Sequence, residues 1–254
     1  MTATTSTILM NKSKSENKSS DWSSLYRLGG IAVLLAILVA LTDICLTFLP
    51  LGAGEPGIMT AVDWFKLFQQ NWFFGLRNLG LLPNILTLIL LFPVFLALFD
   101  VHKHRNQAYA ALAVVLSLVG TAIYLANNPA FPMLALSARY TAATTEAQRT
   151  LIAAAGEAVL ARGEDFTPGA FTGFLLTEVA MTVMAFVMLR GGVFSKGTAY
   201  AGILGSLLLT VFTIWSSFIP VFYGAAMLLA MLGGLASIVW YILTARRLFQ
   251  LSRA

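Results

Sequence analysis

Long apolar runs separated by short polar segments dominate the chain from residue 29 onward. An α-helix rises 1.5 Å per residue, so about 20 apolar residues cross the roughly 30 Å hydrocarbon layer of a bilayer. The pattern therefore predicts an all-α polytopic membrane protein with six transmembrane helices. In chain order the predicted helices 1 to 6 cover 29–48, 79–98, 109–125, 171–189, 198–215 and 221–243.

A shorter helix is predicted between helices 1 and 2. Thr60 followed by Asp63 forms a capping-box-like start, and the residues after it are rich in Trp and Phe. Aromatic residues concentrate at the membrane–water boundary, so we expect 61–72 to be an interfacial helix in the first outer loop. The alternative is a lid over a cavity.

The long connection 126–169, between helices 3 and 4, contains a second predicted helix. Thr145 and Gln148 form a capping box, apolar residues follow at helical spacing, and Gly163 stands where a terminating glycine is common. We therefore expect an amphipathic helix in an outer loop. Loops of this length are uncommon unless they bind or cover something, and packing over the bundle mouth is the alternative.

The first 21 residues are rich in Thr, Ser, Asn and Lys and show no periodicity. Such a segment buries too little apolar surface to order itself, so it predicts a disordered cytoplasmic tail. Residues 22–254 are predicted to form a single six-helix transmembrane domain.

Composition and charge agree with a membrane environment. The chain is 58% hydrophobic and 11% charged, against about 25% charged in soluble domains. Its net charge of +5 is spread over short loops, which argues against a nucleic-acid partner. By the positive-inside rule both termini are cytoplasmic, because most basic residues fall on their side, namely Lys12, Lys14, Lys18, Arg27, Lys103, Arg105, Arg190, Lys196, Arg246, Arg247 and Arg253.

Two acids interrupt the apolar runs. Asp43 lies about 8 Å inside the outer end of helix 1, and Glu178 about 12 Å below the same surface in helix 4. Asn84 falls in the same layer near the start of helix 2. Ionisable groups at membrane depth are expensive and often functional, so we predict that Asp43, Asn84 and Glu178 form an outward-facing polar site for a small molecule or ion. The alternative is that each acid pairs separately, for instance with Arg77 or Arg139, or stays protonated.

Other candidate chemistry is weak. His102 and His104 form a His-x-His pair in a predicted solvated polar loop, 100–105, but two ligands do not make a metal site. The chain has no Gly-rich phosphate loop, no G-x-S-x-G elbow and no H-E-x-x-H motif. The sequence therefore predicts no catalytic residue, no metal and no cofactor, and an intramembrane enzyme using Asp43 and Glu178 ranks below a binding function.

The long loop also carries a resemblance. Residues Asn127 to Ala161, NNPAFPMLALSARYTAATTEAQRTLIAAAGEAVLA, resemble a segment of the bacterial multi-spanning family named domain of unknown function 4386. The resemblance extends in architecture over about residues 25–245. It implies a protein of the bacterial cytoplasmic membrane and supplies no catalytic residues.

Two functions follow from these observations. The first is an integral membrane protein, alone or as a homo-oligomer, that binds or transports a small molecule or ion at the outward-facing site. The second is a non-catalytic structural or sensory membrane subunit that contacts a partner through the outer loop.

Overall fold

The computed structural model describes the backbone of residues 2–47, 59–219 and 223–253, and the side chains of 22–46, 59–219 and 224–253. Every regular element in these ranges is helical, which confirms the predicted all-α class. The helices are α1 (Thr2–Thr47), α2 (Ala61–Gln70), α3 (Trp72–Asn78), a π-helical turn (Leu81–Leu86), α4 (Thr87–Asn127), α5 (Ala130–Ala142), α6 (Glu146–Gly163), α7 (Phe171–Gly191), α8 (Lys196–Phe218) and α9 (Tyr223–Leu251).

Five helical stretches of the described chain are long and apolar enough to cross a membrane. They are Trp22–Leu46, Leu81–Ala142, Phe171–Gly191, Lys196–Phe218 and Gly224–Leu251. The second is 62 residues long, about three times what one crossing needs. Within it, Asn106 in α4 has non-helical backbone angles (φ −139°, ψ 43°), so two helical segments meet there.

The long helices form a closed bundle. α1 packs against α4 and α9, α4 against α7, α7 against α8, and α8 against α9. The apolar core between them, which we call the bundle core, includes Val33, Val94, Met184, Trp240 and Leu248. The outer surface is apolar as well: Leu38, Leu228 and Leu235 are each about 60% exposed. Apolar exposure over a whole bundle is the pattern that a lipid environment requires.

A second apolar cluster joins the short helices into what we call the cap, which comprises residues 59–80 and 128–170. Both predicted capping boxes are confirmed, at Thr60 with Asp63 and at Thr145 with Gln148. The cap also contains α5, which the sequence analysis did not predict. Whether the cap lies at the outer membrane surface stays a prediction.

The cap is held together by close packing and by side chains at helix ends. Glu157 of α6 accepts a hydrogen bond from the Ala61 amide at the start of α2 (2.7 Å). α6 ends against the end of α4, where a Cβ at Gly163 would lie 2.0 Å from the Asn127 carbonyl oxygen. Arg162 donates to Asn127 Oδ1 at 2.9 Å, so the two helix ends are fixed to each other.

The prediction of a solvated polar loop over 100–105 is wrong, because α4 continues through these residues. Asp100 is buried and accepts hydrogen bonds from the Tyr26 hydroxyl and from Lys103. His102 is also buried, with its ring stacked on Phe194 and Nδ1 2.8 Å from the Leu98 carbonyl oxygen. Asp100 and His102, which we expected to be solvated, are therefore buried against Tyr26 of α1 and Phe194, which follows α7.

α1 runs as one helix from Thr2 to Thr47. No break in its backbone marks residue 21, where we divided the tail from the transmembrane domain. Extending a formed helix is far less costly than starting a new one, which accounts for a continuous α1 despite its polar beginning. The division at residue 21 stays a prediction.

Candidate functional site

A cavity of about 270 Å³ lies inside the bundle between α4, α7, α8 and α9. Much of its wall is apolar or aromatic, with Phe95, Met181 and Tyr241 among the contributors. Asn84 and Glu178 also form part of the wall. Ligand sites typically combine a mainly apolar lining with a few polar groups, so this cavity is the candidate site.

Glu178 is incompletely paired. It lies two turns into α7, and its Oε1 accepts a hydrogen bond of 2.6 Å from the Thr213 hydroxyl of α8. Its Oε2 is buried and has no hydrogen-bond partner among the described residues. Thr210 of α8 also lies close to this carboxyl, but its hydroxyl donates to the Ser206 carbonyl at 2.8 Å. A buried acceptor without a partner costs about 1–3 kcal/mol, and more when it is charged, so a proton, a further donor or a cationic group would stabilise this carboxyl.

The hydroxyls near Glu178 are committed to other acceptors. Ser206 donates to the Gly202 carbonyl at 2.8 Å, and Thr210 donates to the Ser206 carbonyl at 2.8 Å. Thr182 donates to Ser206 Oγ at 2.7 Å. Serine and threonine in helices commonly bond to their own backbone in this way. None of these hydroxyls therefore donates to Oε2 of Glu178, which has no partner in the described part of the chain.

Phe166 forms part of the cavity wall at its cap end, and the adjacent Asp165 is fixed by hydrogen bonds to side chains of α4 and of the turn before it; we call this pair the roof. Asp165 Oδ2 accepts from Asn84 Nδ2 and Oδ1 from the Tyr124 hydroxyl, each at 2.7 Å. Asn128 in turn donates to the Tyr124 oxygen at 2.9 Å. Burial raises the pKa of Asp165 to about 6, although the two hydrogen bonds to its carboxylate limit the rise.

Gly80 is required beneath the roof. Its backbone is left-handed (φ +88°), and a Cβ there would lie 2.5 Å from both Asp165 Oδ2 and the Tyr124 hydroxyl. A side chain at this position would therefore be strained and would displace the acid from its donors.

Phe166 has an unusual backbone for a bulky residue, with φ +62°. Its ring lies against Phe174 (centroids 5.6 Å apart) and Phe212 (4.9 Å) and forms part of the cavity wall. A left-handed conformation at such a residue stores of the order of 1–3 kcal/mol and persists only where its surroundings fix it. The anchored carboxyl of Asp165 and the aromatic contacts supply that restraint.

The three predicted site residues do not all meet. Asn84 and Glu178 share the cavity wall, whereas Asp43 is not part of it. Asp43 instead forms an ion pair with Arg77, with Nε and Oδ1 2.8 Å apart, and its backbone oxygen accepts from Arg77 Nη2 at 2.8 Å. For Asp43 the structure thus has the separate pairing that we gave as the alternative.

Asp165, Phe166 and Tyr124 are the residues that the sequence analysis missed. They lie in or next to the long loop, where no periodicity draws attention to single side chains. The available signal was the acidic and aromatic run Glu164, Asp165 and Phe166 directly before the start of α7.

Comparison of the chain with models of protein families, with curated proteins and with solved structures finds no match. The apolar helices fit an integral membrane protein of the multi-pass class. The candidate site of this protein is the partly polar cavity beneath the roof.

Proposed function

We propose that this protein binds a small molecule in the cavity between α4, α7, α8 and α9. The observation that carries the proposal is Glu178, which forms part of the cavity wall and has one buried carboxyl oxygen without a partner among the described residues. An intramembrane acid left incompletely paired is costly, and a bound ligand would offset that cost.

The proposal includes six spans. The stretch Leu81–Ala142 is too long for one crossing, and the non-helical Asn106 supports its division into two spans within α4. With six spans both termini lie on the same side of the membrane, together with most of the Lys and Arg residues. The positive-inside rule assigns that side to the cytoplasm. The cap and the roof then face outward, in keeping with a bacterial inner-membrane protein that resembles the family named above.

The test is whether a small molecule co-purifies with the protein. Ala230 contributes to the cavity wall, so Ala230→Phe should fill part of the cavity. Ala225 lies five residues earlier on the same helix and is exposed, so Ala225→Phe is the matched control. We expect native mass spectrometry of protein extracted in mild detergent to show a bound small molecule in the wild type and in Ala225→Phe, and its loss in Ala230→Phe.

The proposal fails if no small molecule accompanies the wild type, or if Ala230→Phe retains it in full. Thermal melting of each variant checks that the loss is not due to unfolding.

A second candidate is a non-catalytic structural or sensory subunit. It is favoured by the separate Asp43–Arg77 pair and by Leu151, which is 73% exposed on α6. A photo-crosslinking residue in place of Leu151 should then give one discrete crosslinked band in intact membranes. The same residue in place of Leu228, on the outer surface of α9, is the control.

A further inference from the structure

We propose that the ligand of this cavity is a small organic cation with an apolar body, such as an arylalkylammonium or a quaternary ammonium. The inference rests on the proposed function and specifies its ligand class. Four features of the cavity support it: its charge, its aromatic wall, its volume and the small number of charged oxygen ligands in its wall.

Charge is the first feature. Glu178 is the only acid among the described residues of the wall, and none of those residues is basic. Its carboxyl accepts a hydrogen bond from the neutral Thr213 hydroxyl, and no basic residue of the described chain forms an ion pair with it. A monovalent cation would neutralise this charge, whereas an anion would be repelled in a setting of low dielectric.

The aromatic wall is the second feature. Phe166 contacts both Phe174 and Phe212, and the three rings form part of the same cavity wall as Glu178. Aromatic faces attract organic cations, by about 0.5–2 kcal/mol per contact, and combine with carboxylates in sites for quaternary ammonium groups. An apolar ligand body also suits Leu88, Leu91 and Leu209 on the remaining wall.

Volume is the third feature. A dry cavity of roughly 150 Å³ accommodates benzene, whereas drug-sized ligands need roughly 300–1,000 Å³. At about 270 Å³ this cavity suits a molecule with one ring and a short substituent.

The fourth feature argues against an inorganic ion. Hard cations require several oxygen ligands, six or more for Ca²⁺. The described part of the wall holds a single carboxylate, and no group of three or more His, Cys, Asp and Glu side chains that could hold a metal ion occurs among the described residues. One carboxylate in a mainly apolar wall suits an organic cation, which needs few oxygen contacts.

The experiment compares two probes of nearly equal shape, phenyltrimethylammonium and the neutral tert-butylbenzene. Dissociation constants come from the concentration dependence of Tm for the protein in nanodiscs. We expect the cation to bind at least roughly tenfold more tightly than the neutral probe, because it gains a charge pair. Glu178→Gln should remove that advantage and leave the neutral probe within roughly twofold.

Two further variants complete the design. Glu146→Gln removes an acid from an exposed position on α6, where its side chain is 83% exposed, and should leave both constants unchanged. Phe212→Leu keeps the wall apolar but removes a ring, so it should weaken the cation severalfold and the neutral probe little. Phe212→Leu also tests the inference if Glu178→Gln does not fold.

The inference is overturned if the neutral probe binds as tightly as the cation in the wild type. That result would leave the proposed function intact, because the cavity would still bind a small molecule. If neither probe shifts Tm, the cation assignment fails, and the co-purification experiment decides the proposed function independently.

Discussion

The roof and the cavity wall each contain a buried carboxyl, and the two carboxyls differ in the hydrogen-bond donors that reach them. Asp165 in the roof has a donor for each oxygen, Tyr124 for one and Asn84 for the other. Within the described ranges, Glu178 in the wall has a donor for Oε1 alone. A buried acid with a complete set of donors serves structure, because nothing is left for a ligand to satisfy. An acid with one oxygen unpaired is available to bind.

The contrast follows from the surroundings of each acid. The roof lies where several short elements meet, so donors reach it from the turn before α4 and from the far end of α4. Glu178 faces other transmembrane helices, whose Ser and Thr side chains bond to their own backbones. In a bundle of long helices, side-chain donors for a neighbouring helix are scarce.

The largest expected effect comes from Gly80→Ala, which would break the roof. The new Cβ would lie 2.5 Å from Asp165 Oδ2 and from the Tyr124 hydroxyl, on a backbone with φ +88°. Overpacking and backbone strain together should destabilise the protein by about 3–5 kcal/mol. Thermal or denaturant unfolding in micelles or nanodiscs measures the loss.

Gly234→Ala is the matched control, because a Cβ at Gly234 meets nothing within 4 Å. Alanine in a helix interior should be neutral or stabilising there, by up to about 1 kcal/mol. Equal stability of Gly80→Ala and the wild type would mean that the roof is not packed as described.

A smaller effect is expected from the charge of Asp165. Burial raises the pKa of its carboxyl from 3.8 to about 6, so the native state holds a proton that the unfolded state releases. Between pH 4 and pH 6 the native state binds more protons, and stability therefore falls as pH rises through this window. The loss levels off at about pH 7, one unit above the native pKa, and amounts to about 3 kcal/mol, at 1.36 kcal/mol per pKa unit.

Asp165→Asn should abolish most of this pH dependence, because asparagine resembles the protonated acid. Glu164 is the control: burial raises its pKa as well, and its neighbours Asp165 and Glu157 add to the rise. Glu164→Gln should therefore remove only part of the slope. If melting curves of Asp165→Asn keep the wild-type dependence on pH, another group titrates in this window.

The helices were largely predictable because their signals are local. Apolar runs mark the long helices, and capping boxes mark the starts of α2 and α6. α5 was missed because no capping box marks its start, although the Asn128 side chain accepts from the Ala130 amide at 3.0 Å. The segment 100–105 was misread because partners such as Tyr26 lie on distant parts of the chain.

The candidate site was only partly predictable, for a geometric reason. Sequence gives the depth of a residue along a helix, but not which neighbour its face meets. Depth placed Asp43, Asn84 and Glu178 in one layer, yet Asp43 faces Arg77 while the other two share a cavity. The depth of Asp165 could not be predicted in this way, because it lies in the long loop and its position depends on how that loop folds.

The smallest expected effect on stability is that of Glu178→Gln, which tests whether Glu178 differs from Asp165. Glu178→Gln keeps an oxygen for the Thr213 hydroxyl and replaces the unpaired carboxyl oxygen by a neutral amide. Because an unpaired neutral group in a buried setting costs less than an unpaired charge, we expect the variant to be as stable as the wild type, or more stable by about 1 kcal/mol, at pH 8 without ligand. Thermal melting in nanodiscs measures this, with Thr213→Val as the companion that removes the one donor and should lower stability. A clear loss of stability in Glu178→Gln would show that Glu178, like Asp165, is a structural acid, and the distinction between roof and cavity would disappear.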